Sequence, residues 1–456
     1  MSPHALAGLA LLNALYLAGG VSLLWLVRGW DTWAELGRLA GLAYVAGVVA
    51  VGSVWTLLLI VGVPFSLAVV IGLPLVLTGG CWALARRRQR ARPTLGSGPG
   101  GRSVLVAAIG IAASVLLLLG FFRGARLSGL YWWDAWSFWV PKAKAIYKFG
   151  ELDVGFFTNL PGSSYPPLVP ILDAAAFHAM GSADVVTLHI QYWLFGVGFV
   201  WALAGVLAER VPYWILWPFV LLVLVTPRVG ERFLVTEADL FLDYLFALSA
   251  LLVLLWLLDR ERWRLVIATL GMCGMVLTKR EGLLLGAVLV AAALLASVRQ
   301  WRSAWRPLIA ASTVVVLVAI PWRVWYIAHG VAGEAPQSLD PTDTERLWPS
   351  LRLAFDVLLS SQYWSVIVPI AIGALVLSAI VRAYAAAVFV GTLLLLVTLG
   401  GGWITWAIPE LEITEELGAN PIVRYMGAAA LLCVAVSPLL LAETWRAATS
   451  PERDRT

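Results

Sequence analysis

The sequence predicts an all-α polytopic membrane protein, and three observations carry that prediction. Of 456 residues, 61% are hydrophobic and only 13% charged, where a soluble domain carries about 25% charged residues. Several apolar runs reach the roughly 20 residues that cross a bilayer as a helix. The 24 tryptophans suit the headgroup depth at which indoles gather. Long runs, rather than short alternating strands, exclude an outer-membrane barrel. The mean hydropathy of +0.87 agrees.

Charge then orders the elements. The net charge of +5 sits in short basic loops, where it sets topology and says nothing of nucleic acid. The strongest cluster is "ARRRQRARP" at 85–93, followed by Arg102, and "PTLGSGPGG" makes that stretch a linker. "DRERWR" (259–264), "RQWRSAWR" (299–306), Arg382 and the C-terminal tail are the other basic segments. The positive-inside rule places all of them in the cytoplasm. Threading spans between them gives about thirteen transmembrane helices, near 5–27, 39–60, 62–85, 103–122, 187–207, 211–225, 239–258, 264–278, 281–298, 306–326, 362–381, 385–403 and 422–443. The outward segments are then 123–186, 226–238, the turn near 279–281, 327–361 and 404–421.

The run 168–180 is too short to span and reads as a helix within the first large outer loop, where short amphipathic helices are expected. The first apolar run lacks a basic n-region and a cleavage site, so it reads as a retained helix. Cys81, Cys273 and Cys433 all fall in spans and suggest neither a disulfide framework nor a zinc site. Residues 1–95 read as a three-helix module with a basic cytoplasmic linker, ahead of a catalytic core at 96–456. No 20–50-residue repeat and no inverted pair of broken helices marks a transporter.

The polar residues worth explaining gather in the outward segments. In "GLYWWDAWSFWVPKAKAIYKFG" (129–150), Asp134 is the one carboxylate among aromatic residues. It reads either as the N-cap of the helix that follows or as a general base for a hydroxyl. Pro141 argues for a short helix with a break. Lys142 aligns with Phe138 and Asp134 by helical spacing, while Lys144 and Lys148 share another face. Snorkelling is the plain alternative for these lysines. "SSYPPLVPILD" (163–173) enters the next apolar run as a stiff extended segment or as a simple helix start.

The second outer loop offers Glu231, Arg232, Glu237, Asp239 and Asp243. Asp239 and Asp243 stand one helical turn apart and could orient sugar hydroxyls, hold a divalent cation, or pair with Arg228, Arg232 or Lys279. "VLTKREGLL" sets Lys279, Arg280 and Glu281 between two apolar runs. Cations there violate the positive-inside bias, and either a bound phosphate or pairing with Glu281 would retain them. Arg424, in "NPIVRY", is a further outer cation, explained by a bound phosphate or by snorkelling. The segment 327–361 reads as a surface loop and lid. Glu410, Glu412, Glu415 and Glu416 read as a solvated run, and His178 and His189 as packing or hydrogen-bonding residues.

These stretches, in this order, resemble the GT-C superfamily of integral-membrane glycosyltransferases, especially its protein-mannosyltransferase and aminoarabinose-transferase branch. The resemblance rests on "DAWSFWVPKAKAIYKFG", "YPPLVPILDAAAF", "TEADLFLDY", "LTKREG" and "RY" before the last span, and covers roughly residues 103–445. It implies a GT-C-like core that transfers a sugar from a polyprenyl-phosphate donor to a glycan, lipid or protein acceptor, with inversion. The site would face the extracytoplasmic side of the cell membrane. By this likeness Asp134 activates the acceptor, Lys279 and Arg424 face the donor phosphate, and Asp239 is a second acid near the donor; Arg280 and Lys142 are further phosphate candidates. Glu237, Asp239, Tyr165 and Trp133 border sugar and acceptor.

Many relatives carry two adjacent acids in the first loop, whereas Ala135 follows Asp134 here. No cofactor is required by this reading, and a divalent cation, Mg or Mn, on Asp134 and Asp239 stays open. The rival expectations are a lipid-linked glycan ligase or polymerase, a polyprenyl-lipid transporter or flippase, and a non-catalytic scaffold.

Overall fold

The computed structural model describes residues 2–90, 93–95, 101–331, 339–381, 383–416 and 420–449. Arg382, most of the "PTLGSGPGG" linker, the end of the C-terminal tail and part of the 327–361 segment lie outside the described residues. Those described are helical, and their one β-feature is an isolated bridge between Thr32 and Thr94. The helices in chain order are α1 (Pro3–Val27), α2 (Trp33–Ile60), α3 (Leu67–Arg87), α4 (Gly101–Ala125), α5 (Val140–Phe149), α6 (Val154–Thr158), α7 (Leu168–Met180), α8 (Val185–Leu207), α9 (Tyr213–Val225) and α10 (Pro227–Arg232). There follow α11 (Ala238–Asp259), α12 (Arg262–Thr278), α13 (Glu281–Ala296), α14 (Trp301–Ala328), α15 (Thr344–Leu359), α16 (Ser361–Trp364), α17 (Ile367–Ile380), α18 (Tyr384–Ala407) and α19 (Ile422–Thr449).

Among the described residues nine helices are long and apolar enough to cross a membrane, or ten if the bent pair Thr344–Trp364 and Ile367–Ile380 counts as one span. Each of the thirteen expected stretches folds as a helix. Four of them are shorter than a full crossing: α9 with 13 residues, α12 with 17, α13 with 16 and α17 with 14. A helix rises about 1.5 Å per residue, so 13 residues cover about 20 Å of a hydrocarbon layer near 30 Å thick.

Burial separates the inner helices from the outer ones. α11 is apolar all round and enclosed, packed chiefly on α12 and α19. α3 and α4 instead expose Leu75, Val76, Leu105 and Leu116, as lipid-facing helices do. α1–α3 pack directly on α7, α8 and α12. A polar cluster joins them to the rest: the Asn13 amide donates to Gln191 at 2.8 Å, and the Tyr44 hydroxyl donates to Asn13 at 2.5 Å. α1 and α2 approach so closely that a Cβ at Gly20 would lie 1.6 Å from the Ala43 carbonyl oxygen, and one at Gly47 1.9 Å from that of Tyr16. Small residues at such crossings are what packing in lipid requires.

The run 168–180 forms α7, as its length demands, and 11 of its 13 residues are buried. The 327–361 reading needs correction. Residues 344–359 are the helix α15, capped by the Asp343 carboxylate, which accepts from the Glu345 and Arg346 amides at 3.0 and 3.3 Å. Ser350, Ala354, Val357 and Leu358 are its buried face, and α18 is its main neighbour, while Trp348 is exposed. That is an amphipathic helix fixed to the bundle, not a loose loop.

Candidate functional site

Four of the sequence candidates meet at one end of the bundle, each placed by a helix terminus. Arg424 lies in the first turn of α19. Asn420 caps that helix by accepting from the Ile422 amide at 2.9 Å and is itself held by donating to the Glu412 carbonyl at 2.7 Å. Asp239 is in the first turn of α11, and Lys279 closes α12 in an extended conformation before α13 begins.

Asp134 opens the helical segment that becomes α5. Its backbone is already helical and its carboxylate caps nothing, so the N-cap reading is overturned. Between it and α5 lies a π-turn, Ala135–Trp139, closed by a bond from the Val140 amide to the Ala135 carbonyl. Pro141 explains the wide turn: its ring would crowd the carbonyl of Ser137 in a regular helix, and it has no N–H to donate.

At the centre is Arg424. Its Nη2 donates to the carboxylates of both Asp134 and Asp239, and its Nε donates to Asp239 at 3.0 Å. The other Asp239 oxygen accepts from the Lys279 ammonium at 2.8 Å, while Glu281 stands farther from Lys279, at 3.8 Å. Asp239, Lys279 and Glu237 are buried. One helical turn on, Asp243 pairs with buried Arg232, whose guanidinium also donates to the Arg424 carbonyl at 3.4 Å. The two carboxylates on one face of α11 therefore serve separate cations, Asp239 both Arg424 and Lys279 and Asp243 Arg232, and Arg228 pairs with Glu231 at 2.5 Å.

Burial alone would lower the proton affinity of Lys279, but the Asp239 carboxylate and then Glu281 outweigh it and hold the ammonium charged. Glu237 behaves differently. Its carboxyl makes no hydrogen bond among the described residues, and burial, followed by the negative charge of Asp239, pushes its pKa up to about 7.

The other candidates frame this group. Tyr165 stacks on Phe138 and Trp139, with centroids 5.8 and 5.5 Å apart, and lies 5.5 Å from the Lys279 ammonium and 4.7 Å from the Arg280 guanidinium. It thus links the Asp134 segment to the α12–α13 turn. Arg280 itself is exposed. Trp133 is half exposed and packs edge-on against Trp136 and Phe138.

Lys142 is held by the 160s segment. It is fully buried, donates to the Gly162 carbonyl, and lies 5.5–5.7 Å from the rings of Phe138, Trp139 and Phe157. Its place is that of an internal tie between α5 and the 160s segment, and the snorkelling alternative falls with its burial. His189 is buried and donates from Nδ1 to the Val185 carbonyl at 2.7 Å.

Beneath the ionic group a narrow slot of about 50 Å³ runs between α13 and α18. Asp239, Lys279 and Arg424 form its polar end, and Leu284, Val288 and Leu396 belong to its apolar length. Gly400 borders it on α18, and a Cβ there would meet open space.

Among the described residues no group of three or more His, Cys, Asp or Glu is set to hold a metal ion. The two carboxylates that a cation could bridge, Asp134 and Asp239, already share one guanidinium nitrogen. The donor set therefore does not fit a divalent cation as it stands. The chain matches no protein-family model, no curated protein and no solved structure.

Proposed function

We propose that the protein is an inverting glycosyltransferase that moves a sugar from a polyprenyl-phosphate donor to an acceptor hydroxyl at the extracytoplasmic face of the cell membrane. One observation carries the reading: two cations, Lys279 and Arg424, bridged by Asp239, stand at the polar end of a slot that continues between apolar helices, and Arg424 also holds the acid Asp134. A lipid phosphate has the same division, with a charged head and a hydrocarbon tail. The slot is too narrow for a polyprenyl chain, so α13 and α18 must part to admit one.

In this mechanism the donor phosphate takes the Arg424 guanidinium, to which it can bind in two-pronged fashion. The Asp134 carboxylate is thereby released from Arg424. It accepts the proton of the acceptor hydroxyl, and the oxygen attacks the anomeric carbon opposite the phosphate. The carbon–phosphate oxygen bond breaks with its electron pair passing to the phosphate, whose charge Arg424, Lys279 and Arg280 stabilise. Preorganised cations in such a role are worth on the order of 3 kcal/mol each. Asp239 holds Lys279 and Arg424 in register, and Tyr165 and Trp133 offer ring faces to the sugar and acceptor. No step is routed through a metal.

A lipid-linked glycan ligase or polymerase would share this donor chemistry. A polyprenyl-lipid carrier is the second reading. It draws on the bent helix pair, which turns by 115° at its break, since discontinuous helices line transport paths. Purified protein incubated with a panel of radiolabelled polyprenyl-phosphate sugars tests the enzyme reading. Release of polyprenyl phosphate that stops in Asp134→Asn, with lipid binding retained, supports it. Release with none of the sugars counts against it.

A further inference from the structure

A second polar cavity, of about 760 Å³, lies at the other end of the bundle. α11 sets the separation: Asp239 is in its first turn and Arg260 follows its last, and 22 residues span about 33 Å. Six arginines line the cavity, Arg28, Arg88, Arg90, Arg260, Arg262 and Arg264, against three carboxylates.

Much of the acid is already engaged. Glu209 accepts from Arg264 at 2.6 Å and from Arg38, outside the cavity, at 2.9 Å. Arg90 donates to the last carbonyls of α1, at 3.0–3.3 Å. Among the described residues Arg88, Arg260 and Arg262 have no carboxylate within ion-pair distance.

Two further features are not needed to orient a membrane protein. First, Nε of Arg28, Nη1 of Arg260 and Nε of Arg264 are buried with no hydrogen-bond acceptor, and Arg264 is only 6% exposed. An unmet buried donor costs about 1–3 kcal/mol, and more on a charged group. Loop arginines that only set topology keep their N–H groups in water. Second, Arg260 ends α11 in the left-handed region, at φ +62°. Glycine is the usual residue there, and a side chain costs about 1–2 kcal/mol. The arginine is kept at a strained position on the cavity wall.

We propose that this cavity binds a phosphate-bearing anion through Arg88, Arg260, Arg262 and Arg264. Guanidinium forks match phosphate oxygens two at a time. The ligand is either an anionic lipid headgroup of the adjacent leaflet or a soluble phosphorylated molecule. The proposal does not depend on the glycosyl-transfer reading.

Thermal unfolding of the full-length protein in detergent tests it, with phosphatidylglycerol or inorganic pyrophosphate titrated in and phosphatidylcholine as control. The variant is Arg88→Gln/Arg262→Gln, which changes two exposed side chains. Either anion should raise the wild-type melting temperature saturably, with affinity falling on the order of tenfold in the variant. Arg88→Lys/Arg262→Lys should retain most of the effect, and Asp134→Asn should retain all of it. A response to phosphatidylglycerol alone names a leaflet headgroup as the source, and a response to pyrophosphate names a soluble one. No rise with either anion, or equal rises in wild type and Gln variant, overturns the proposal.

Discussion

Arg424, in the first turn of the last helix, is ion-paired to Asp134, which lies 290 positions earlier in the chain. The contact joins the Asp134 segment to the end of the bundle and leaves the carboxylate occupied until something else takes the guanidinium. Replacing Asp134 by Asn keeps a hydrogen-bond acceptor for Arg424 but removes the proton acceptor. Single-turnover assays should show sugar transfer falling by about 10²-fold or more, with the melting temperature nearly unchanged. An Asn variant that turns over like the wild type would assign Asp134 to structure alone.

Lys279 and Asp239 form a pair that water barely reaches, with side chains 4% and 7% exposed. Lys279→Met strands part of a buried carboxylate and should destabilise the protein by about 3–5 kcal/mol. Because the two residues share one interaction, the double variant Lys279→Met/Asp239→Asn should lose far less than the sum of its singles. Chemical denaturation in detergent, run as a double-mutant cycle, reads the coupling directly. Additive losses would mean that the pair carries no coupling.

Glu237 supplies a pH signature. Its folded pKa of about 7 lies above the ordinary 4.5, raised by burial and then by the charges of Asp239 and Asp134, against the opposing pull of Arg424 and Arg232. Between those two values the folded state holds a proton that the unfolded chain has released. Stability must therefore fall as pH rises through that window and level off above it. Melting curves from pH 4 to 8 should show this slope in the wild type and its loss in Glu237→Gln. Identical slopes in both would remove Glu237 from the group.

Gly400 borders the slot with open space where a side chain would begin. Gly400→Leu should fill the apolar path with no backbone clash and favour α18 by about 0.8 kcal/mol through helix propensity. The predicted outcome is a loss of activity on long-chain polyprenyl donors, roughly tenfold or more by the scale of blocked apolar contacts. Activity on a short-chain, water-soluble donor analogue should survive. Equal loss on both donors would place the lipid tail elsewhere.

Much of this architecture was legible in the residues. Apolar run length located helices at all thirteen expected stretches, and charge placed Lys279, Arg424 and Asp134 at helix ends on one side. Pairing was harder to read. α11 is apolar on every face, so periodicity gives no stripe from which to infer its rotation. Whether Asp239 or Asp243 meets Lys279 depends on that rotation. The burial of Lys142 has no sequence signal, because a lysine in an interfacial helix normally reaches for water, and the cage of Phe138, Trp139 and Phe157 assembles only in three dimensions. The unbonded carboxyl of Glu237 has no sequence signal. It stands in the cap position of α11 but forms no capping bond.

The most direct test is a structure of the protein with polyprenyl phosphate bound. The account predicts the phosphate within hydrogen-bond distance of Arg424 and Lys279, the lipid chain between α13 and α18, and the Arg424–Asp134 pair parted. A lipid phosphate bound away from both cations, or bound with that pair intact, would contradict it.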